Sequence, residues 1–503
     1  MHTTEPTRTT TPDQGTPTRT SFFTWPFVCG LFVLVMAAVG ARYGYHRDEL
    51  YFIEAGHHPA WGYADQPPLI PLLAAGWHDI VEGTLCQFRL IPAVTGAVVV
   101  ALAALTSNEL GGDRRDAAWS AAVVATSTTL LVAAHLFGTT VFDIAASAAI
   151  VLLLLRSLRS GRTVDWLALG LVAAVALNIK LLPAALLICC AAALLVVGPR
   201  KPLTTVGPWL AGVVALAGAA PTLLWQQANG WPQLALASSV ASGGSGSSVD
   251  RWLFVPMLTT LVGPPVVAIL GVGAVALWRR GEHRWIPVAA VLHLVLTLAT
   301  GGKPYYLMPW VPVLVAAAVP VLRQWATGRR DRTRLLAGLL ALNCVAGVLI
   351  SLPVLPPRLA PVWLVYDHGE QVGWPDLART VAEAYVNDRA DVHDRPDAIL
   401  TLNYGEAGAL DLANRYGVNG PAVYSVHNAY WWWGPPPESA RRVIIVGWWD
   451  EATIYRWFTR CSEARRVHNS DGVDNEENGA PVRTCDGPKG GWKVMWPQVK
   501  HLG

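Results

Sequence analysis

The chain has 503 residues, of which 52% are hydrophobic and only 15% charged, a balance that fits a chain dissolved in lipid better than a soluble domain. The formal net charge is +3, and the basic residues fall in short scattered clusters. Without a broad basic face, no nucleic-acid partner is expected.

Residues 1–21 begin with a Thr- and Pro-rich stretch that holds no apolar run; they are predicted to be a disordered cytoplasmic tail. The first apolar run, roughly Phe22 to Val39, is long for a cleaved signal and long enough to span, so an uncleaved first helix is expected. Further apolar runs recur up to Leu352. Between them stand basic clusters at Arg114-Arg115, Arg156 to Arg162, Arg200-Lys201, Arg279 to Arg284 and Arg323 to Arg334. The positive-inside rule places all of these in the cytoplasm. The outer turns then fall at Arg42 to Cys86, His135 to Phe142, Asn178 to Lys180, Gln226 to Asp250 and Gly301 to Tyr306. The predicted architecture is a mostly α, polytopic bundle over residues 22–354 with about eleven transmembrane helices, its N-terminus inside.

Pro353, Pro356 and Pro357 mark a linker, after which residues 355–503 read as a small extracytoplasmic α/β domain. Ala398 to Leu402 and Arg442 to Gly447 are strand-like runs within it. Cys461 and Cys485 both lie there and could pair in an oxidising compartment, whereas Cys29, Cys189, Cys190 and Cys344 lie in apolar runs as small hydrophobes. A multi-pass protein of the plasma membrane is expected, with membrane lipids as its surroundings.

The first outer loop, residues 42–86, carries Tyr45-His46-Arg47-Asp48-Glu49-Leu50-Tyr51-Phe52 and then Trp61-Gly62-Tyr63-Ala64-Asp65-Gln66-Pro67-Pro68-Leu69. Acids and aromatics stand directly after the first span, where the head group of a lipid substrate would sit; an amphipathic surface helix uses the same residue types. Transfer of a sugar from a lipid phosphate needs a carboxylate to take the acceptor's proton and cations facing the departing phosphate. Asp48 or Glu49 supplies the first; Arg47, Lys180, Arg89 and Lys303 are the cations near the predicted outer surface. Lys303 stands in Gly301-Gly302-Lys303-Pro304-Tyr305-Tyr306, where a snorkelling lysine is the plainer reading. Asp143 opens the fourth predicted span, and an acid at that depth is usually functional or paired, unless it caps the helix.

In the outer domain, Asn403-Tyr404-Gly405-Glu406-Ala407-Gly408 and Ser425 to Gly434 mix polar and aromatic groups as sugar sites do. Glu406, His427, Asn428 and Trp431 are therefore candidate acceptor-binding residues, although membrane docking or core packing explains the Trp run equally well. No Gly-rich phosphate cradle, paired CxxC or HExxH is found in the sequence. No metal site is assigned and no cofactor is certain; a divalent metal beside acids and a lipid phosphate would fit the chemistry.

These residues resemble the polyprenyl-phosphate-dependent GT-C glycosyltransferases, in particular the family-39 enzymes that include the aminoarabinose transferase of lipid A and the protein O-mannosyltransferases. The resemblance runs from about Phe22 to Val354. Arg47-Asp48-Glu49-Leu50-Tyr51 looks like the family's first acidic motif, Tyr63 to Leu69 its Pro-Pro segment, and Asp143 its second acid. Asn178-Ile179-Lys180, Trp225-Gln226 with Gly230-Trp231-Pro232, and Gly302 to Tyr306 follow in the family's order. The resemblance implies a membrane glycosyltransferase that moves a sugar from a polyprenyl-phosphate donor to a cell-envelope acceptor on the outer face. Asp48 would be the catalytic base or orient the acceptor, supported by Glu49 and Asp143; Arg47 and Lys303 would meet the phosphate, with Tyr51, Asp65, Gln66, Lys180, Tyr305 and Tyr306 completing the donor site. Aminoarabinose transferases have a basic residue where this chain has Gln66, so the phosphate clamp differs. A transporter or flippase for a lipid-linked or small polar substrate is the alternative, but it would call for an internal repeat or acids at the bilayer midplane.

Overall fold

The computed structural model describes residues 23–243, 250–387, 395–418 and 420–503. The tail expected to be disordered lies outside the described residues, as do residues 244–249 of the fourth outer turn.

The first helix, α1 (Trp25–Val39), buries Val28, Phe32, Met36 and Val39, a stripe at the three- and four-residue spacing of one helix face. The outer loop then folds as two helices, α2 (Arg47–His57) and α3 (Leu69–Ile80), which pack on each other. Gly56 of α2 makes this contact close: a Cβ there would stand 2.2 Å from the Pro71 carbonyl oxygen.

Among the described residues, five helices are long and apolar enough to cross a membrane, or up to seven if each of two bent pairs is one span. The predicted count of about eleven is larger because it includes short apolar helices: α1, Thr163–Ile179 and Leu182–Val197 have 15, 17 and 16 residues, fewer than the roughly 20 that an untilted crossing needs. Thr139–Ser160 is 78% buried over its most apolar window and lies at the centre of the bundle. Arg330–Ser351 is only 11% buried there, as suits a helix facing lipid on most sides. Where Thr163–Ile179 meets Val206–Ala228, glycines let the backbones approach: a Cβ on Gly170 would lie 2.7 Å from the Ala211 carbonyl, and one on Gly218 2.5 Å from the Ala174 Cβ. Small residues at such positions are the usual device for packing helices in lipid.

The C-terminal part holds a five-stranded sheet, β1 (Ala398–Thr401), β2 (Ala422–Ser425), β3 (Arg442–Val446), β4 (Arg465–Arg466) and β5 (Pro481–Asp486), in the order β2-β1-β3-β5-β4. Strand β1 runs parallel to both neighbours, with Ala398 opposite Ala422 and Val443, while β5 is antiparallel to β3 and β4. The two strand runs expected from sequence are β1 and β3. Cys461 and Cys485 form a disulfide. The connection from β1 passes through the helix Tyr404–Ala413 to β2, and the chain then returns to the other side of β1. The carboxyl end of β1 is therefore a topological switch point, the usual place for a site in such sheets. This end faces the membrane bundle: a Cβ on Gly405 would lie 2.7 Å from the Arg47 Cβ, and one on Gly408 2.9 Å from the Leu50 Cβ. Helix Tyr404–Ala413 thus lies directly on the first turn of α2.

Candidate active site

The N-terminus of α2 is held from below by a buried ion pair. Glu49, 0% exposed, receives two parallel bonds from the Arg89 guanidinium, Nε to Oε1 at 2.9 Å and Nη2 to Oε2 at 2.7 Å. Its oxygens also accept the amides of His46 and Phe137, each at 2.8 Å. Arg89 further donates to the carbonyls of Gly44 and Gly40 at 2.7 and 3.2 Å. The oxygens of Glu49, expected to support Asp48, are taken up inside the protein, where they tie α2 to the end of α1 and the bend at Phe137. Charge-assisted, bidentate pairing of this kind is both strong and directional.

With Glu49 turned inward, Asp48 turns outward. Its side chain is half-buried, its amide donates to His46 Nδ1 at 3.1 Å, and its Oδ1 accepts the Tyr404 hydroxyl at 2.8 Å. Arg47 lies over the rings of Tyr366 and Tyr404, 5.4 and 5.6 Å from their centroids, and pairs with Glu370 and Glu476 at 3.0 and 3.1 Å. Lys180 Nζ sits 5.2 Å from the Tyr305 ring and 5.8 Å from that of Tyr306. Burial and the charge of Lys180 push the Lys303 ammonium down to about 8, while the charges of Asp48 and Asp367 pull it the other way. Lys180 with the two tyrosines thus forms one group, and Asp48 and Arg47 with Tyr404 another; Lys303 lies within electrostatic reach of both Lys180 and Asp48.

The remaining predicted residues are held in different ways. Asp143 is 4% exposed and receives Ser147 Oγ at 3.4 Å. It lies one turn inside its helix, which starts after Gly138, so it is not a cap; Lys180 is the cation whose charge reaches it. Tyr51 donates to Asp65 at 2.7 Å and accepts the Ala429 amide at 3.2 Å, tying the outer loop to the sheet domain. Burial pushes the Asp65 carboxyl up to about 7, against the bond from Tyr51. Gln66 is buried behind Tyr63, whose amide bonds to the Gln66 carbonyl at 2.8 Å. Glu406 accepts the Asn403 amide at 3.1 Å in a capping box that starts helix Tyr404–Ala413. His427 bonds to the Gly503 carbonyl at 3.1 Å, Asn428 takes the His501 carbonyl on its amide at 3.0 Å, and Trp431 donates to the Trp496 carbonyl at 2.9 Å. These three hold the C-terminal residues in place.

Sequence reasoning did not single out Tyr404, His46, Asp367 or Glu370. The last two belong to Tyr366-Asp367-His368-Gly369-Glu370-Gln371, a polar run soon after the proline linker, and that position was the available signal. Among the described residues, one set of three metal-type ligands gathers, Glu370, Glu476 and Glu477, and it does not include Asp48 or Asp143.

Residues 65–225 match the family described as dolichyl-phosphate-mannose-protein mannosyltransferase; this stretch holds Asp65, Asp143 and Lys180 but not α2. No curated protein matches the chain in sequence. In three dimensions the chain is similar to ArnT from Cupriavidus metallidurans in the apo state, with a TM-score of 0.63 and 14% identity over 92% of this chain and 97% of that one. The likeness is one of fold. The same ArnT bound to undecaprenyl phosphate is similar with a TM-score of 0.56 and 16% identity over 92% of this chain and 98% of that one. Since 92% of the chain is covered, the likeness extends past the helix bundle into the sheet domain.

Proposed function

We propose that the protein is a membrane glycosyltransferase that takes a sugar from a polyprenyl-phosphate donor and passes it to an acceptor on the outer face of the membrane. The reading rests on the Asp48 carboxylate, which accepts the Tyr404 hydroxyl, with Lys180 beside the Tyr305 and Tyr306 rings and Lys303 within electrostatic reach of both Asp48 and Lys180; we place these groups in one cleft. The GT-C fold and the mannosyltransferase match support it, as does the undecaprenyl phosphate bound by ArnT.

In the proposed reaction the acceptor hydroxyl gives its proton to Asp48 as its oxygen bonds to the anomeric carbon. The bond from that carbon to the phosphate oxygen breaks, and polyprenyl phosphate leaves with the electron pair. Lys303 and Lys180 meet the departing charge, with Tyr305 and Tyr306 beside them. Arg47, held by Glu370 and Glu476, lines the same cleft. Asp143 orients Lys180, and Glu49 holds α2 so that Asp48 is aimed into the cleft. Asp65 and Tyr51 close the side nearest the sheet domain, where the acceptor enters past Tyr404, with Glu406, His427, Asn428 and Trp431 shaping that entrance.

The topology follows from the same reading: about eleven crossings with the short helices tilted or paired, the N-terminus cytoplasmic, and the cleft with residues 355–503 outside. Binding of undecaprenyl phosphate to the purified protein tests the donor assignment. Lys303→Gln is expected to weaken it at least about tenfold, the scale of one charged contact to a phosphate. Equal binding by the variant and wild type would remove Lys303 from the donor site.

A further inference from the structure

Arg47 leads to a second group of acids, two of which hold it beside the proposed transfer site. One ligand oxygen from each of Glu370, Glu476 and Glu477 lies within 4.8 Å of the others, the spread expected of oxygens around one calcium-sized ion at about 2.4 Å. Glu370 and Glu477 are 0% and 1% exposed. Arg47 pairs with Glu370 and Glu476, but neither oxygen of Glu477 has a hydrogen-bond partner among the described residues. Two carboxylates therefore share one guanidinium while the third, Glu477, has no ion-pair partner among the described residues, and the charge of a fourth, Glu406, reaches Glu477. A buried carboxylate left in this state is costly unless a cation or a proton meets it.

The place is also built, not a chance meeting of surface side chains. Asn475 Nδ2 donates to the carbonyls of Gly369 and Val372 at 2.9 and 3.0 Å, which locks the segment carrying Glu370 to the loop carrying Glu476 and Glu477. Asn403 Nδ2 donates to Glu476 Oε2 at 3.2 Å, and Trp448 Nε1 donates to the Glu476 carbonyl at 2.8 Å. Apart from the Asn403 bond to Glu476, the ties that fix these segments do not involve the carboxylates.

We propose that Glu370, Glu476 and Glu477 bind a hard divalent cation, calcium in preference to magnesium. All the donors are oxygens, without the nitrogen or sulfur that a transition metal favours. The irregular set also suits calcium's flexible coordination better than magnesium's strict octahedron. The bound ion staples the segment after the proline linker to the loop between β4 and β5, next to the residue that precedes Asp48. This inference stands independently of the glycosyl-transfer reading.

The test uses the full-length protein in detergent after EDTA treatment and dialysis, with Tb3+ as the probe. Emission sensitised through Trp448 is expected, with displacement by Ca2+ in the roughly 10⁻⁴ to 10⁻³ M range of extracellular sites. Glu477→Gln should weaken Tb3+ binding at least about tenfold, since it removes one of three charged ligands. If that variant does not fold, Glu476→Gln, at a partly exposed position, makes the same comparison. Thermal unfolding should agree, with Ca2+ raising the wild-type Tm above that in NaCl of equal ionic strength. A wild type that shows neither signal up to about 10 mM Ca2+, well above such sites' affinities, would overturn the proposal. So would a folded variant that binds Tb3+ as tightly as the wild type.

Discussion

Replacing Arg89 by Ala tests whether the Glu49–Arg89 pair is the anchor of the cleft. The two side chains are 0% and 2% exposed, so neither can recover water when the other is removed. Truncating one member of a buried ion pair typically costs about 3–5 kcal/mol, because the remaining charge is stranded. Here Glu49 would keep only the amides of His46 and Phe137, and the carbonyls of Gly40 and Gly44 would lose their donors. Measured against a typical total of about 5–15 kcal/mol, that is a large fraction. At about 2–4 °C per kcal/mol, the Tm should drop by roughly 6–20 °C. Glu49→Gln, which keeps one acceptor oxygen, should lose less, about 2 kcal/mol. The assay is thermal unfolding in detergent followed by circular dichroism, with Asp48→Asn as a control expected to stay near wild type. An Arg89→Ala protein that melts within about 2–4 °C of wild type, equivalent to about 1 kcal/mol, would refute the anchoring role.

Two further outcomes follow from the packing and the titrating groups. Gly408→Val should separate helix Tyr404–Ala413 from α2, because a Cβ there meets the Leu50 Cβ at 2.9 Å and the Leu50 backbone carbon at 3.0 Å; faster protease cleavage in the sheet domain with an intact bundle is the expected result, and unchanged cleavage would contradict the docking. Burial pushes Asp65 and Glu406 up to about 7 and Asp411 up to about 8. Since these values lie above the roughly 4 of an unfolded carboxyl, their stabilisation is full below about pH 4 and is lost as pH rises through about 7 to 8. A melting series across that window should show a declining Tm, and Asp411→Asn should flatten its upper end; a variant with the wild-type slope would count against Asp411 as a source.

Local patterns in the sequence proved readable where the physics is local. Strands β1 and β3 lie within the runs Ala398 to Leu402 and Arg442 to Gly447, and the Arg47-Asp48-Glu49 step marks the start of α2. The capping pattern Asn403-x-x-Glu406 was equally visible, and the structure shows that cap; reading Glu406 only as a sugar ligand overlooked it. The Glu49–Arg89 pair joins residues 40 apart, and the Tyr404–Asp48 bond joins residues 356 apart. No local spacing encodes either contact. The acids Glu370, Glu476 and Glu477 come from two segments distant in sequence, which Asn475 ties together. The number of crossings was hard to read for another reason: apolar runs of 15 to 17 residues fall between a buried helix and a full span.

Whether Asp48 is the base of a sugar transfer is decided by one comparison, the transfer of radiolabelled sugar from synthetic polyprenyl-phosphate donors to a cell-envelope extract by wild type and by Asp48→Asn. Transfer by the wild type and a loss of about 10²- to 10⁴-fold in the variant, the usual worth of a general base, are expected, with the Tm preserved. A folded Asp48→Asn protein that transfers sugar at the wild-type rate would contradict that role.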